Sequence, residues 1–209
     1  MYNDSNIAIN PLAVLKPEKE PRRYTLAEYL RREERSEELH EYYDGHIVKL
    51  PNANAPHNII TVNIATALHS ALKKIDEKFI VLMGKQLLYL PNQNYALYPD
   101  VVMLNSPPQY FDYNETLIIN PILIVEIQSK GIKRLERNTK FHEYKTLLSF
   151  KEHILIDKQK CYVQVSFREE PDLWREKKYT ELTDSVCLKS VDCHIDMSMI
   201  YRKIEFKNK

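Results

Sequence analysis

Glycine is scarce in this sequence. Three residues, Gly45, Gly84 and Gly131, stand in a chain of 209, where average usage of about 7% would place about fifteen. The scarcity excludes chemistries built on clustered glycines: there is no GxGxxG dinucleotide loop, no GxxxxGK[ST] phosphate cradle and no GxSxG nucleophile elbow. No nucleotide cofactor is therefore expected. Cysteine is sparse as well. Cys161, Cys187 and Cys193 are odd in number and form no CxxC pair, so neither a disulfide framework nor a Cys-rich zinc site is expected, and a reducing cytoplasm fits. An excess of either charge is also missing, with 30 Lys and Arg against 29 Asp and Glu. Any site for a polyanion must then be local. No apolar run approaches the roughly 18 residues that span a bilayer, so no membrane partner is expected. The opening MYNDSNIAINPLAVLKPEKE lacks the basic start and apolar core of a secretory signal.

What is present reads as helices around a compact set of strands. Residues 1–20, with Pro11 and Pro17, read as an extended arm, and 21–209 as a single domain. Thr25 and Glu28 have capping-box spacing and predict a helix start. Asp44-Gly45 marks a turn before a strand over His46–Leu50. Ile60, Ile64, Leu68 and Leu72 form one apolar stripe and predict the longest helix over 54–74. KFIVLMGKQLLYL (78–90) reads as one long strand with a bulge at Gly84, followed after Asn92–Asn94 by a strand over Ala96–Asn105. PILIVEIQS (121–129) suits a strand buried on both faces. A helix over 135–148 and paired strands at 153–157 and 161–167 follow, then weaker strands and a closing helix from about Asp196. The hairpins mixed among these elements point to an α/β or α+β domain with a mixed sheet rather than a βαβ repeat.

Two carboxylates stand out. Asp100 follows Tyr98-Pro99 and begins a strand, and Glu126 is the one charge within PILIVEIQS. A carboxylate in so apolar a strand is costly to bury unless it pairs or binds a metal. Strand-borne carboxylates with a nearby lysine suit Mg²⁺, a hard ion that contacts one or two carboxylates and keeps several waters. The blander readings are a turn residue at Asp100 and an ion pair from Glu126 to Lys130 or Lys133. On the following helix, Lys140 and Tyr144 share one face, with Glu136 a turn earlier. Lys130, Lys133, Arg134, Arg137, Lys140 and Lys145 outnumber Glu136 and Glu143 by four, which suits a polyanion or, more often, a solvated helix face. Trp174 and Tyr179 are a candidate stacking platform, although strand aromatics usually pack.

Several blocks together carry a family resemblance. YPDVV (98–102), PILIVEIQS (121–129), KFHEY (140–144) and EHILID (152–157) lie in order, preceded by YTLAEY (24–29), EYYDGHI (41–47) and Pro56-His57. The chain in this respect resembles the Uma-type restriction-endonuclease family of the PD-(D/E)XK nuclease superfamily, over roughly residues 22–204. The resemblance implies a restriction-endonuclease-like fold, a mixed β-sheet flanked by α-helices, and Mg²⁺-dependent cleavage of phosphodiester bonds, with Mn²⁺ expected to substitute. By position it makes Asp100 and Glu126 metal ligands, with the backbone carbonyl of Ile127 as a third and Glu41 as an extra candidate. The superfamily lysine two residues after the second acid is here Gln128, and Lys140 on the next helix takes its place. Glu136 stands where relatives usually have Asp, and His57 matches a histidine frequent among them, open to a substrate contact or a capping role.

The leading expectation is a metal-dependent endonuclease on DNA, with Lys140 positioning the attacking water or stabilising the developing charge. A homodimer is expected from the family and from the need to cut both strands. The alternative is a nuclease-fold module that binds nucleic acid or a protein partner without cutting, as Gln128 and the neutral net charge would suit.

Overall fold

The computed structural model of the chain describes residues 22–72, 78–105, 107–128 and 140–206, with Gln128 described by its backbone only. The N-terminal arm, Glu136 and the basic run from Lys130 to Arg137 lie outside the described residues. Helix α1 (Leu26–Glu33) begins as its capping box requires: Glu28 N donates to Thr25 Oγ1 at 3.2 Å and Thr25 N to Glu28 Oε2 at 2.8 Å. Strands β1 (His40–Tyr43) and β2 (His46–Lys49) form a hairpin. Its turn places Asp44 at φ 42° and Gly45 at φ 95°, the left-handed pair that matches the twist of two antiparallel strands.

Helix α2 (Ala55–Leu72) buries the predicted stripe of Ile60, Ile64, Leu68 and Leu72. The single long strand expected over 78–90 is instead two, β3 (Ile80–Met83) and β4 (Leu87–Leu90), in different sheets. Gly84, at φ +91°, turns the backbone out of the first ladder, so it ends a strand rather than bulging one. The next segment splits in the same way into β5 (Tyr95–Leu97) and β6 (Val101–Leu104). Pro99 lacks an N–H to donate to a ladder, and the chain changes sheet across Tyr98-Pro99-Asp100. Strand β7 is Leu117–Ile118, β8 is Leu123–Gln128 and β9 is Glu152–Asp157. A helical segment α3, described over 140–144, joins the last two. Strands β10 (Val163–Glu170) and β11 (Leu173–Tyr179) form a hairpin, β12 (Ser185–Leu188) and β13 (Cys193–Asp196) another, and α4 (Met197–Ile200) closes the chain.

A five-stranded sheet runs β2-β1-β5-β4-β7, and a six-stranded one β11-β10-β9-β8-β6-β3. Both are mixed, through the parallel pairs β4–β7 and β8–β9. Strand alternation divides the interior. Val101, Met103, Leu123, Val125 and Ile127 face the core under α2, while Val102, Leu104 and Ile124 face a second core with Leu88, Leu90, Leu97 and Tyr144. A third cluster, built on stacked Tyr29 and Tyr42, seats α1 on the other side of the five-stranded sheet. Trp174 and Tyr179 do not form one platform. Trp174 packs on Phe141 and Phe150, whereas Tyr179 is buried in the core under α2 with its hydroxyl accepting from Cys187 N.

Candidate functional site

The candidate site lies where the two sheets part. Antiparallel pairing sets Val101 opposite Val125, and one step further along each strand Asp100 stands across from Glu126. Ile127 N donates to Asp100 Oδ2 at 2.6 Å, and His57 Nε2 lies 2.9 Å from Asp100 Oδ1. His57 sits in the first turn of α2, but Asn54 takes the capping position there, accepting from His57 N at 3.3 Å. The imidazole is therefore free of capping duty and turned to the aspartate.

Glu126 shares the face of Ile124 and points toward α3, where Tyr144 donates to its Oε1 at 2.6 Å. Burial pushes the Glu126 carboxyl up to about 7. Lys140 draws it down, Asp100 pushes it up, the Tyr144 hydrogen bond lowers it and Glu41 raises it. Lys140 Nζ lies 2.6 Å from Glu41 Oε1. Burial works against its charge, yet Glu126, Glu41 and Asp100 together hold the ammonium above its ordinary value. Glu41 is 2% exposed and fully used: Oε1 also accepts from Tyr98 N at 3.0 Å, and Oε2 from the Tyr43 hydroxyl at 2.6 Å. Burial and the adjacent carboxylates hold the hydroxyls of Tyr43 and Tyr144 protonated, so both act as donors.

Three carboxylates thus surround one ammonium, an imbalance that a divalent cation would offset. Among the described residues no three His, Cys, Asp or Glu side chains converge as a ready metal cage. A divalent ion there would draw on two carboxylates, backbone and solvent.

Residues 26–197 match the Uma2 family, described as putative restriction endonucleases. The chain belongs to that family. Two relatives from Synechocystis sp. are similar along much of their length. The uncharacterized protein sll1609 is 33% identical over 66% of this chain and 76% of its own, and slr1290 is 28% identical over 86% and 92%. A crystal structure of a putative nuclease belonging to DUF820 from Anabaena variabilis aligns with a TM-score of 0.66 at 17% identity, covering 85% of this chain and 97% of that one. The likeness is one of fold, and it bears out the mixed-sheet architecture expected from the sequence.

Within this Uma2 member the structure brings together Asp100, Glu126, Ile127, Lys140, Tyr144, Glu41 and His57. The side chains of Gln128 and Glu136 lie outside the described residues. Sequence reading passed over Tyr43 and the Tyr98 amide. For Tyr43 a signal existed: it lies two positions from Glu41 on a strand and so shares its face. For the Tyr98 amide none did, because 57 residues separate it from Glu41.

Proposed function

We propose that this Uma2-family chain is a divalent-cation-dependent endonuclease acting on DNA. One observation carries the reading: β6 and β8 set Asp100 across from Glu126, and Lys140 extends from α3 into the field of both. Asp100 and Glu126 would hold Mg²⁺ or Mn²⁺. The Ile127 carbonyl is a further donor, since an extended residue directs its C=O to the same side as its N–H, here toward Asp100. When bound, the ion lowers the pKa of a water and stabilises charge on a phosphodiester oxygen.

The other roles belong to the chain itself. The Ile127 amide and His57 orient the Asp100 carboxylate, and Tyr144 orients Glu126. Lys140 offers ammonium protons to a phosphate oxygen or to the attacking water. Glu41 positions that lysine, and the Tyr98 amide and the Tyr43 hydroxyl hold its carboxylate in place. The test is plasmid nicking in Mg²⁺ or Mn²⁺ beside Asp100→Ala. Nicking by the parent and none by the variant supports the reading, and equal nicking by both refutes it.

A second reading, a module that binds nucleic acid without cutting, draws on His57 closing one side of Asp100. It predicts DNA binding that survives EDTA with no metal-dependent nicking. A homodimer would place two such sites on opposite strands, and sedimentation with and without duplex DNA measures that.

A further inference from the structure

The outer flank of α1 carries a basic pocket separate from the carboxylate centre. It measures about 330 Å³ and is lined by Arg22, Tyr24, Glu28, Arg31, Arg32 and Arg35. Four guanidinium groups face one carboxylate in a chain whose formal charge is +1. That carboxylate is already committed, since Glu28 accepts from Arg22 at 3.1 Å and closes the capping box with Thr25. Arg31, Arg32 and Arg35 are exposed and make no ion pair among the described residues.

Arg32 rests against the Tyr24 ring, 4.9 Å from its centroid, and Arg22, while paired with Glu28, lies 4.8 Å from the same centroid. Stacking fixes the plane of a guanidinium while leaving its N–H edges available, the geometry that suits bidentate contact with phosphate oxygens. Compensation of the helix dipole would account for Arg31 and Arg32 in the last turn. It does not account for Arg22 before the helix, for Arg35 beyond its C-cap, or for the convergence of all four.

The pocket is also tied to the proposed site. Glu33, on the same helix, turns inward to accept from the Tyr98 hydroxyl at 3.2 Å and from His40 N at 2.9 Å. Tyr98 donates its amide to Glu41 and lies two residues before Asp100.

We infer that this pocket grips the phosphodiester backbone of duplex DNA on the flank of the Asp100–Glu126 centre. The inference rests on the endonuclease reading for its substrate. The arginines supply affinity without sequence information, and α1 sets where that grip lies relative to Asp100 and Glu126.

The test measures binding of a labelled duplex in EDTA over a range of salt, for the parent chain and for a variant combining Arg31→Gln, Arg32→Gln and Arg35→Gln. Each phosphate contact contributes about 0.9 to the slope of log K against log salt. The triple variant should lose about 2 to 3 units of slope, and its KM for plasmid should rise more than its kcat falls. A variant with Lys at the same three positions should keep most of the slope. A thermal melt checks folding, and Arg35→Gln alone, beyond the helix, should lose about 0.9 if the triple variant unfolds. A parent that binds, with slope and KM unchanged in the Gln variants, overturns the inference and leaves the nuclease reading intact. A parent that binds with arginine-dependent slope but never nicks overturns the nuclease reading alone. A parent that neither binds nor nicks overturns both.

Discussion

Glu126 and Glu152 occupy neighbouring parallel strands, β8 and β9, and burial raises the pKa of both. Their surroundings then diverge. Glu152 is wholly buried and accepts from Lys189 N and Ser190 N, each at 3.0 Å, and from Ser190 Oγ at 2.6 Å. These donors fasten the β12–β13 hairpin to the sheet and leave the carboxylate satisfied. Glu126 accepts one hydrogen bond among the described residues, from Tyr144, and sits in the fields of Lys140, Asp100 and Glu41. Burial alone therefore does not mark a functional carboxylate. A carboxylate with few donors among the described residues and a like charge beside it is the better candidate, because its charge is stabilised further when a cation binds.

The largest test of this contrast is catalytic. Glu126→Gln should lower metal-dependent nicking by on the order of 10³ or more, since Lewis-acid stabilisation is worth several kcal/mol and each 1.36 kcal/mol is tenfold. Glu152→Gln should leave nicking within about twofold. Comparable losses in both variants would erase the distinction. Next in size, Lys140→Met should cost about 10² to 10³ in kcat, the range for removing one preorganised donor to a developing charge. Glu41→Gln should shift the pH profile of nicking as well as its rate, because Glu41 acts through the lysine.

Stability should reverse the order. Glu152→Gln presents an amide to backbone and hydroxyl donors and should lose about 1–3 kcal/mol in urea unfolding. The smallest effect concerns pH without divalent ions. The folded-state pKa of Glu126, about 7, lies above its ordinary value of 4.5, so the folded protein binds the proton more tightly than the unfolded chain. Its contribution is full below 4.5 and is lost as pH rises through 7. In EDTA the parent should lose stability between those values, and Glu126→Gln should flatten that fall. Unfolding at pH 5 and pH 8 measures it. A parent whose stability rises over that interval while Glu126→Gln stays flat would show that Lys140 outweighs burial at this carboxylate.

Much of this was legible in the residues. Thr25 and Glu28 foretold the start of α1, Asp44-Gly45 the first hairpin, and the apolar run around Glu126 the central strand. The residues predict continuous strands through Gly84 and through Tyr98-Pro99-Asp100, because apolar periodicity continues across both breaks, and the structure divides each in two. Periodicity reports which face is buried and not which sheet a strand joins. Pairing with different partners decided that, and the second break delivers Asp100 to the edge of the site.

The local sequence by itself determined the helix caps, the turns, the apolar faces and the identity of the two strand carboxylates, since each depends on residues within a few positions. Only the tertiary structure decided what surrounds those carboxylates. Lys140 meets Glu41 across 99 residues, Ile127 meets Asp100 across 27, and Lys189 and Ser190 reach Glu152 across 37 and 38. A carboxylate's charge is set by the dipoles and ions within a few ångströms, and in this chain most of those come from distant segments that the sheets bring together.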